Sequence, residues 1–133
     1  MDLYVAAMKG AFAEENGGDG FIAIRLDTLE GLGEKGKQEV LDAFLDISSQ
    51  IYDLKDIETD ETKFIFYDNG ERTMLNGTKD GTVLSVAIEE YTGDHAVIEG
   101  ISWFGSLGAV FPKYEATYEN GAWRLELISM AVS

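Results

Sequence analysis

Apolar positions recur at helical spacing in the first part of the chain and alternate in the second. Tyr4, Met8 and Phe12 lie four apart with Leu3, Ala7 and Ala11 beside them, so one apolar stripe predicts a helix from residue 3 to about 15. The segment "ENGGDG" ends it with glycines able to take a left-handed cap. Phe21 to Leu26 read as a strand. From Glu34 to Tyr52, Leu41, Phe44, Leu45, Ile47 and Ile51 share one face, which predicts a second, longer helix. The acidic connector "DLKDIETDET" follows and reads as a solvated loop. From Lys63 onward the pattern is that of consecutive antiparallel strands. "KFIFY" and "RTMLN" flank the hairpin signal "DNGE", and the runs beginning at Thr82, Ala96, Val110 and Trp123 are separated by short glycine-bearing turns. In the last run Trp123, Leu125 and Leu127 share one face and Arg124 and Glu126 the other, the signature of a strand buried on one side.

This order predicts one α+β domain over residues 1–133, with two amphipathic helices packed on the concave face of a curved antiparallel sheet of about five or six strands. Phe44, Ile51, Trp103 and Trp123 are expected to be largely buried where the second helix meets the sheet. No internal repeat or low-complexity tract divides the chain.

Charge changes the picture most. Against 10 Lys and Arg stand 25 Asp and Glu, a formal net charge of −15. A field of that sign repels phosphate backbones and anionic headgroups, so nucleic acid is not an expected partner, whereas cations, basic peptides and basic protein faces are compatible. With no cysteine, disulfides, thiol catalysis and cysteine-based metal sites are excluded. No apolar run is long enough to span a membrane. "MDLYVAAMKGAF" lacks the basic start of a secretory signal, so a signal or tether of an exported protein is expected outside this chain.

Candidate chemistry is sparse. Gly31, Gly33 and Gly36 spell the dinucleotide fingerprint, and Gly31, Gly36 and Lys37 nearly spell a P-loop. However, "DTLE" separates the glycines from the preceding strand, and Gln38 stands where a hydroxyl should reach magnesium. Glu30 and Glu34 would also meet phosphates with the wrong charge. A glycine turn leading into a helix is the preferred reading, with no nucleotide and no cofactor. Asp53, Asp56, Glu58, Asp60 and Glu61 lack EF-hand spacing, and no metal is expected. His95, the only histidine, lies beside Asp94 in a turn, where it is expected to be exposed and unengaged. No G-x-S-x-G elbow is present, and Asn76-Gly77-Thr78 reads as turn chemistry rather than a glycosylation site. Most of the aromatics belong to the core. Tyr91, Trp103, Phe111 and Tyr114 are the candidates to line an open pocket.

The stretch 102–133 carries Trp103, Gly105, Gly108, Tyr114, Tyr118, Asn120, Gly121, Trp123 and Ser133. In this pattern it resembles the closing strands of small exported or membrane-tethered domains of Gram-positive bacteria, many lipoproteins among them. The same hairpin ending is similar to cystatin-like and nuclear-transport-factor-like cone folds, although the strand at Phe21 to Leu26 departs from the usual cone order. The resemblance implies a non-catalytic, extracytoplasmic accessory domain that binds a protein, peptide or small-molecule ligand. Two other readings stay open. One is a small cone-fold hydrolase or isomerase using a pocket carboxylate, a tyrosine or His95; the other is a cytoplasmic partner of a basic protein.

Overall fold

A computed structural model describes residues 2–68 and 73–133. It is an α+β structure built on a mixed, open sheet of eight strands. Helix α1 (Asp2–Glu14) is followed by β1 (Ile22–Ile24), α2 (Glu34–Asp42), β2 (Ile51–Asp53) and the short helix α3 (Leu54–Ile57). Six strands complete the chain: β3 (Phe64–Asp68), β4 (Thr73–Thr78), β5 (Thr82–Tyr91), β6 (His95–Gly105), β7 (Gly108–Glu119) and β8 (Ala122–Val132). The hairpin signal "DNGE" spans residues 68–71, of which 69–71 lie outside the described residues, but the strands on either side, β3 and β4, pair antiparallel as expected.

Three expectations about the elements and the sheet are corrected. First, the helix from Glu34 stops at Asp42, and Ile51 to Asp53 instead form β2, parallel to β1. The residues between turn without continuing the helix, and Ser48 Oγ accepts the Gln50 N–H (3.1 Å), a local bond that competes with helical pairing. Second, the sheet has eight strands and is not wholly antiparallel, because β1 lies parallel to both β2 and β5. Third, the acidic connector is not simply a solvated loop. Its Leu54 and Ile57, three apart on α3, are buried while Asp56, Glu58 and Glu61 are exposed. Asp53 caps this helix by accepting the Lys55 N–H at 3.2 Å.

Two apolar layers sandwich the start of β5, and that explains its burial. Leu84 and Val86 face a cluster formed with α1, α2 and the inner side of β6 and β7, and Val83 faces a second cluster of Phe21, Ala23, Leu54, Ile57 and Phe64. Residues 82–86 are therefore all buried, and residues 87–91, beyond the second cluster, are not. Phe44 is fully buried as expected, but Ile51, Trp103 and Trp123 are only half-buried. Ile51 sits on the edge strand, and Trp103 borders the second cluster rather than α2.

Helix α1 lies across the antiparallel meander β5–β8, closest to β6. The approach is so near that a Cβ on Gly100 would overlap the Ala7 carbonyl, and one on Gly10 would overlap the Tyr114 hydroxyl. Where α1 ends, Ser102 Oγ donates to the Glu15 carbonyl (2.7 Å), while buried Thr82 accepts from Gly17 N–H and donates to Gly18 C=O, both at 3.0 Å. No buried side-chain polar atom among the described residues lacks a partner. Pro112, the only proline, lies in β7, and the β6–β7 pairing lapses around it, between the pairs Glu99–Lys113 and Ser102–Val110, and resumes in the same register.

Candidate functional site

The register of the meander sorts its side chains onto two faces. Ile88, Ile98, Tyr114 and Leu127 are cross-strand neighbours on the face that carries α1, with Tyr118 and Trp123 further along it. His95, Glu115, Thr117, Arg124 and Glu126 lie on the opposite face. Helix α1 covers the middle of the first face and leaves its end open. There the N-terminal turn of α1, the loop at Glu30, the end of β5 and the start of β8 enclose a cavity of about 320 Å³. Its walls are Leu3, Tyr4, Ile88, Tyr91 and Trp123, and Glu30 also lines it, its charge acting on the Tyr4 phenol. Gly31, also in the wall, has φ +80°, so the turn that presents Glu30 needs a residue tolerant of the left-handed region.

The aromatic geometry is specific. The Tyr91 and Trp123 rings stand 6.3 Å apart at 42°, forming an open wedge, and Tyr118 braces Trp123 edge-on at 5.3 Å. The Tyr4 hydroxyl donates to the Glu30 carbonyl oxygen at 2.8 Å, tying the loop to α1. Burial raises the Tyr4 pKa, with Glu30 and Tyr91 adding to the effect, so its phenol stays a neutral donor through the physiological range. Tyr91 remains 59% exposed, so one face of the wedge meets solvent. None of the wall residues is basic, so the only formal charge at the cavity is negative.

Of the four residues proposed from the sequence to line a pocket, this cavity contains Tyr91. Tyr114 is on the same face but buried beneath α1 against Gly10, where burial and then Glu14 raise its pKa. Trp103 and Phe111 lie on the opposite face, half-buried. Tyr4 and Trp123 read from the sequence only as core stripe and inner-face positions. Their convergence with Tyr91 depends on strand order and on where α1 stops.

The groups suggested for acid–base work are separated. His95 does not stand unengaged in its turn; its Nε2 is 3.1 Å from Glu115, on the face away from the cavity. Two further ion pairs lie nearby, Lys113 with Glu89 and Arg124 with Glu119, each at 2.7 Å. The Glu89 carboxylate raises the Lys113 pKa by hydrogen bond and charge. At the connector, Asp60 accepts from the Thr62 hydroxyl (2.6 Å) and N–H (2.8 Å) and pairs with Lys63 (3.1 Å), and these contacts hold its pKa down to about 2. Its oxygens are thus engaged within the protein, and no acidic or histidine cluster of metal-holding geometry occurs among the described residues.

The glycine stretch also finds its place. Strand β1, helix α2 and parallel strand β2 do form one crossover unit, which the sequence reading did not anticipate. Yet a 3-10 turn over Leu26–Thr28 intervenes after β1, Gly33 caps α2, Gly36 is inside the helix, and Glu34 occupies its first turn. That arrangement places carboxylates where a pyrophosphate would need open N–H groups. No helix among the described residues is long and apolar enough to cross a membrane. No protein-family model, curated protein or solved structure matches the chain.

Proposed function

We propose that this protein is a non-catalytic binding module that receives a cationic amine or guanidinium side chain, presented by a basic peptide or protein, in the Tyr4–Tyr91–Trp123 cavity. The observation that carries this reading is the aromatic wedge in a cavity whose one charged lining residue is the acidic Glu30. A cation is attracted by an aromatic face within roughly 6 Å of the ring centroid. Rings 6.3 Å apart leave positions within that reach of both. Glu30 supplies the countercharge, and the net charge of −15 steers cations toward the surface as a whole. An uncharged ligand would use the aromatic walls but would gain nothing from Glu30.

The cone-like architecture and the extracytoplasmic, tethered setting belong to the same proposal. Helix α1 packed on the β5–β8 meander supports the first, with the parallel β1–β2 pair and the β3–β4 hairpin as additions to a cone. The likeness of residues 102–133 to exported domains supports the second.

Binding is tested by the fluorescence of Trp123 in a Trp103→Phe background, titrating an oligo-lysine peptide, choline and the neutral tert-butyl analogue of choline. Saturable change is expected with the two cations and much weaker change with the neutral analogue. Tyr91→Ala should weaken cation binding roughly 2–30-fold, the equivalent of ~0.5–2 kcal/mol for a cation–π contact. Glu30→Gln should remove most of the preference for charge. Equal binding by the parent and both variants would show that the acidic surface alone attracts the peptide.

A further inference from the structure

Among the described residues, strand β8 pairs only with β7 and is a free edge of the sheet. It is 11 residues long, whereas the other two free edges, β2 and β3, have three and five. Long apolar edges are ordinarily shortened, charged or covered, because their unpaired N–H and C=O groups template pairing with another strand. Here the outer half, Leu127 to Ser133, contains no charged residue in a chain of net charge −15.

The phase of the strand shows what it offers. Ser133 N–H donates to the Ala109 carbonyl at 2.9 Å, and β8 pairs with β7 through Val132–Val110, Ala131–Phe111 and Met130–Pro112. Antiparallel ladders alternate, so Ala131 and Ser133 direct their backbone groups to β7, and Met130 and Val132 direct theirs outward. The side chains of Met130 and Val132 share one face and are 45% and 67% exposed. Backbone groups that need partners and apolar side chains that need cover therefore occur at the same two residues.

We infer that two copies of this chain pair antiparallel through β8 about a two-fold axis. With the axis at Ala131, Met130 of each copy stands opposite Val132 of the other as a hydrogen-bonded pair, and all four side chains lie on one face. Charge selects this occupant. A basic segment would find no acidic side chain along Leu127 to Ser133, and an acidic one would be repelled by the rest of the molecule. A second β8 is neutral and has the matching hydrogen-bond phase.

The test is sedimentation velocity of the 133-residue chain from micromolar to near-millimolar concentration at low and high sodium chloride. A monomer–dimer equilibrium is expected, tighter at high salt because screening weakens repulsion between two acidic bodies. Met130→Pro removes an N–H that points away from β7 and should weaken dimerisation by more than about tenfold while leaving the thermal midpoint within a few degrees. Val132→Lys introduces like charges at the axis and should do the same; it decides the matter if Met130→Pro does not fold. Leu107→Ser, at the highly exposed β6–β7 turn, should leave the dimer unchanged. A chain monomeric under every condition, a dimer surviving both β8 substitutions, or one dissociated by Leu107→Ser would each overturn the inference.

Discussion

Substituting Gly100 by alanine tests the seating of α1, on which the cavity depends. The added Cβ would meet the carbonyl oxygen and carbon of Ala7 and come within 3.3 Å of Ala11 Cβ. A backbone carbonyl cannot rotate aside as a side chain can, so α1 must lift or tilt. Overpacking of this kind costs about 1–3 kcal/mol, against which the stiffer unfolded chain returns roughly 0.4–1 kcal/mol, leaving a net loss of about 1–2 kcal/mol. An unfolding entropy near 2.1 cal/mol/K per residue gives ~0.28 kcal/mol/K for 133 residues, so the thermal midpoint should fall by about 4–7 °C. Gly105→Ala, on the same strand with its nearest neighbours at 3.8 Å, is the matched control and should shift the midpoint little. Thermal denaturation followed by circular dichroism reads both. Because Tyr4 is carried by α1, Gly100→Ala should also weaken cation binding at temperatures where the fold is intact. Equal midpoints for the two variants would mean that α1 does not rest on β6 at Gly100.

Two further outcomes are expected. ATP, NAD and NADP, with or without magnesium, should give no saturable heat by calorimetry, since Glu34 occupies the first turn of α2, where a phosphate would need open N–H groups; binding lost in Lys37→Ala would reverse that reading. Tyr4 and Tyr114 have raised pKa values, chiefly from burial, so above about pH 10 the unfolded chain releases protons that the folded one retains, and stability should fall with rising pH. That loss should be smaller in the Tyr4→Phe, Tyr114→Phe double variant when unfolding by urea is followed across the alkaline range, and an unchanged slope would show that these phenols do not differ between the two states.

The parts of the fold written in local pattern were legible. Alternation located β5 to β8 to within a few residues, and the spacing of Leu3, Tyr4, Ala7, Met8 and Ala11 located α1. Helix α2 was overextended because Ile47 and Ile51 continue the helical spacing of Leu41 and Phe44 past the true end. The chain instead turns from Ala43 to Ile47, and Ser48, bonding the backbone two residues on, follows that turn before β2. Helix α3 was hidden because its two buried residues are set among acids. The parallel β1–β2 pair was not legible, since three-residue strands carry no period to read. For the cavity, Tyr91 was named for its chemistry, but Tyr4, Glu30 and Trp123 are 26 or more residues from one another and meet only through tertiary topology.

One geometric mismatch underlies both proposals. Helix α1 has 13 residues and is about 20 Å long, while β8 has 11 and extends about 36 Å. A single helix of that length cannot cover a four-stranded meander to its ends. At the start of β8 the shortfall leaves Trp123 as a wall beside Tyr91 and Tyr4; towards its end, Met130 and Val132 are left open. The net charge then separates the two exposed regions by sign. At the cavity lined by Glu30 it draws a cation in, and salt weakens the attraction. Along the uncharged outer half of β8 it acts only as repulsion between whole molecules, and salt relieves it. Opposite responses to the same added salt therefore distinguish the cavity from the edge without any substitution.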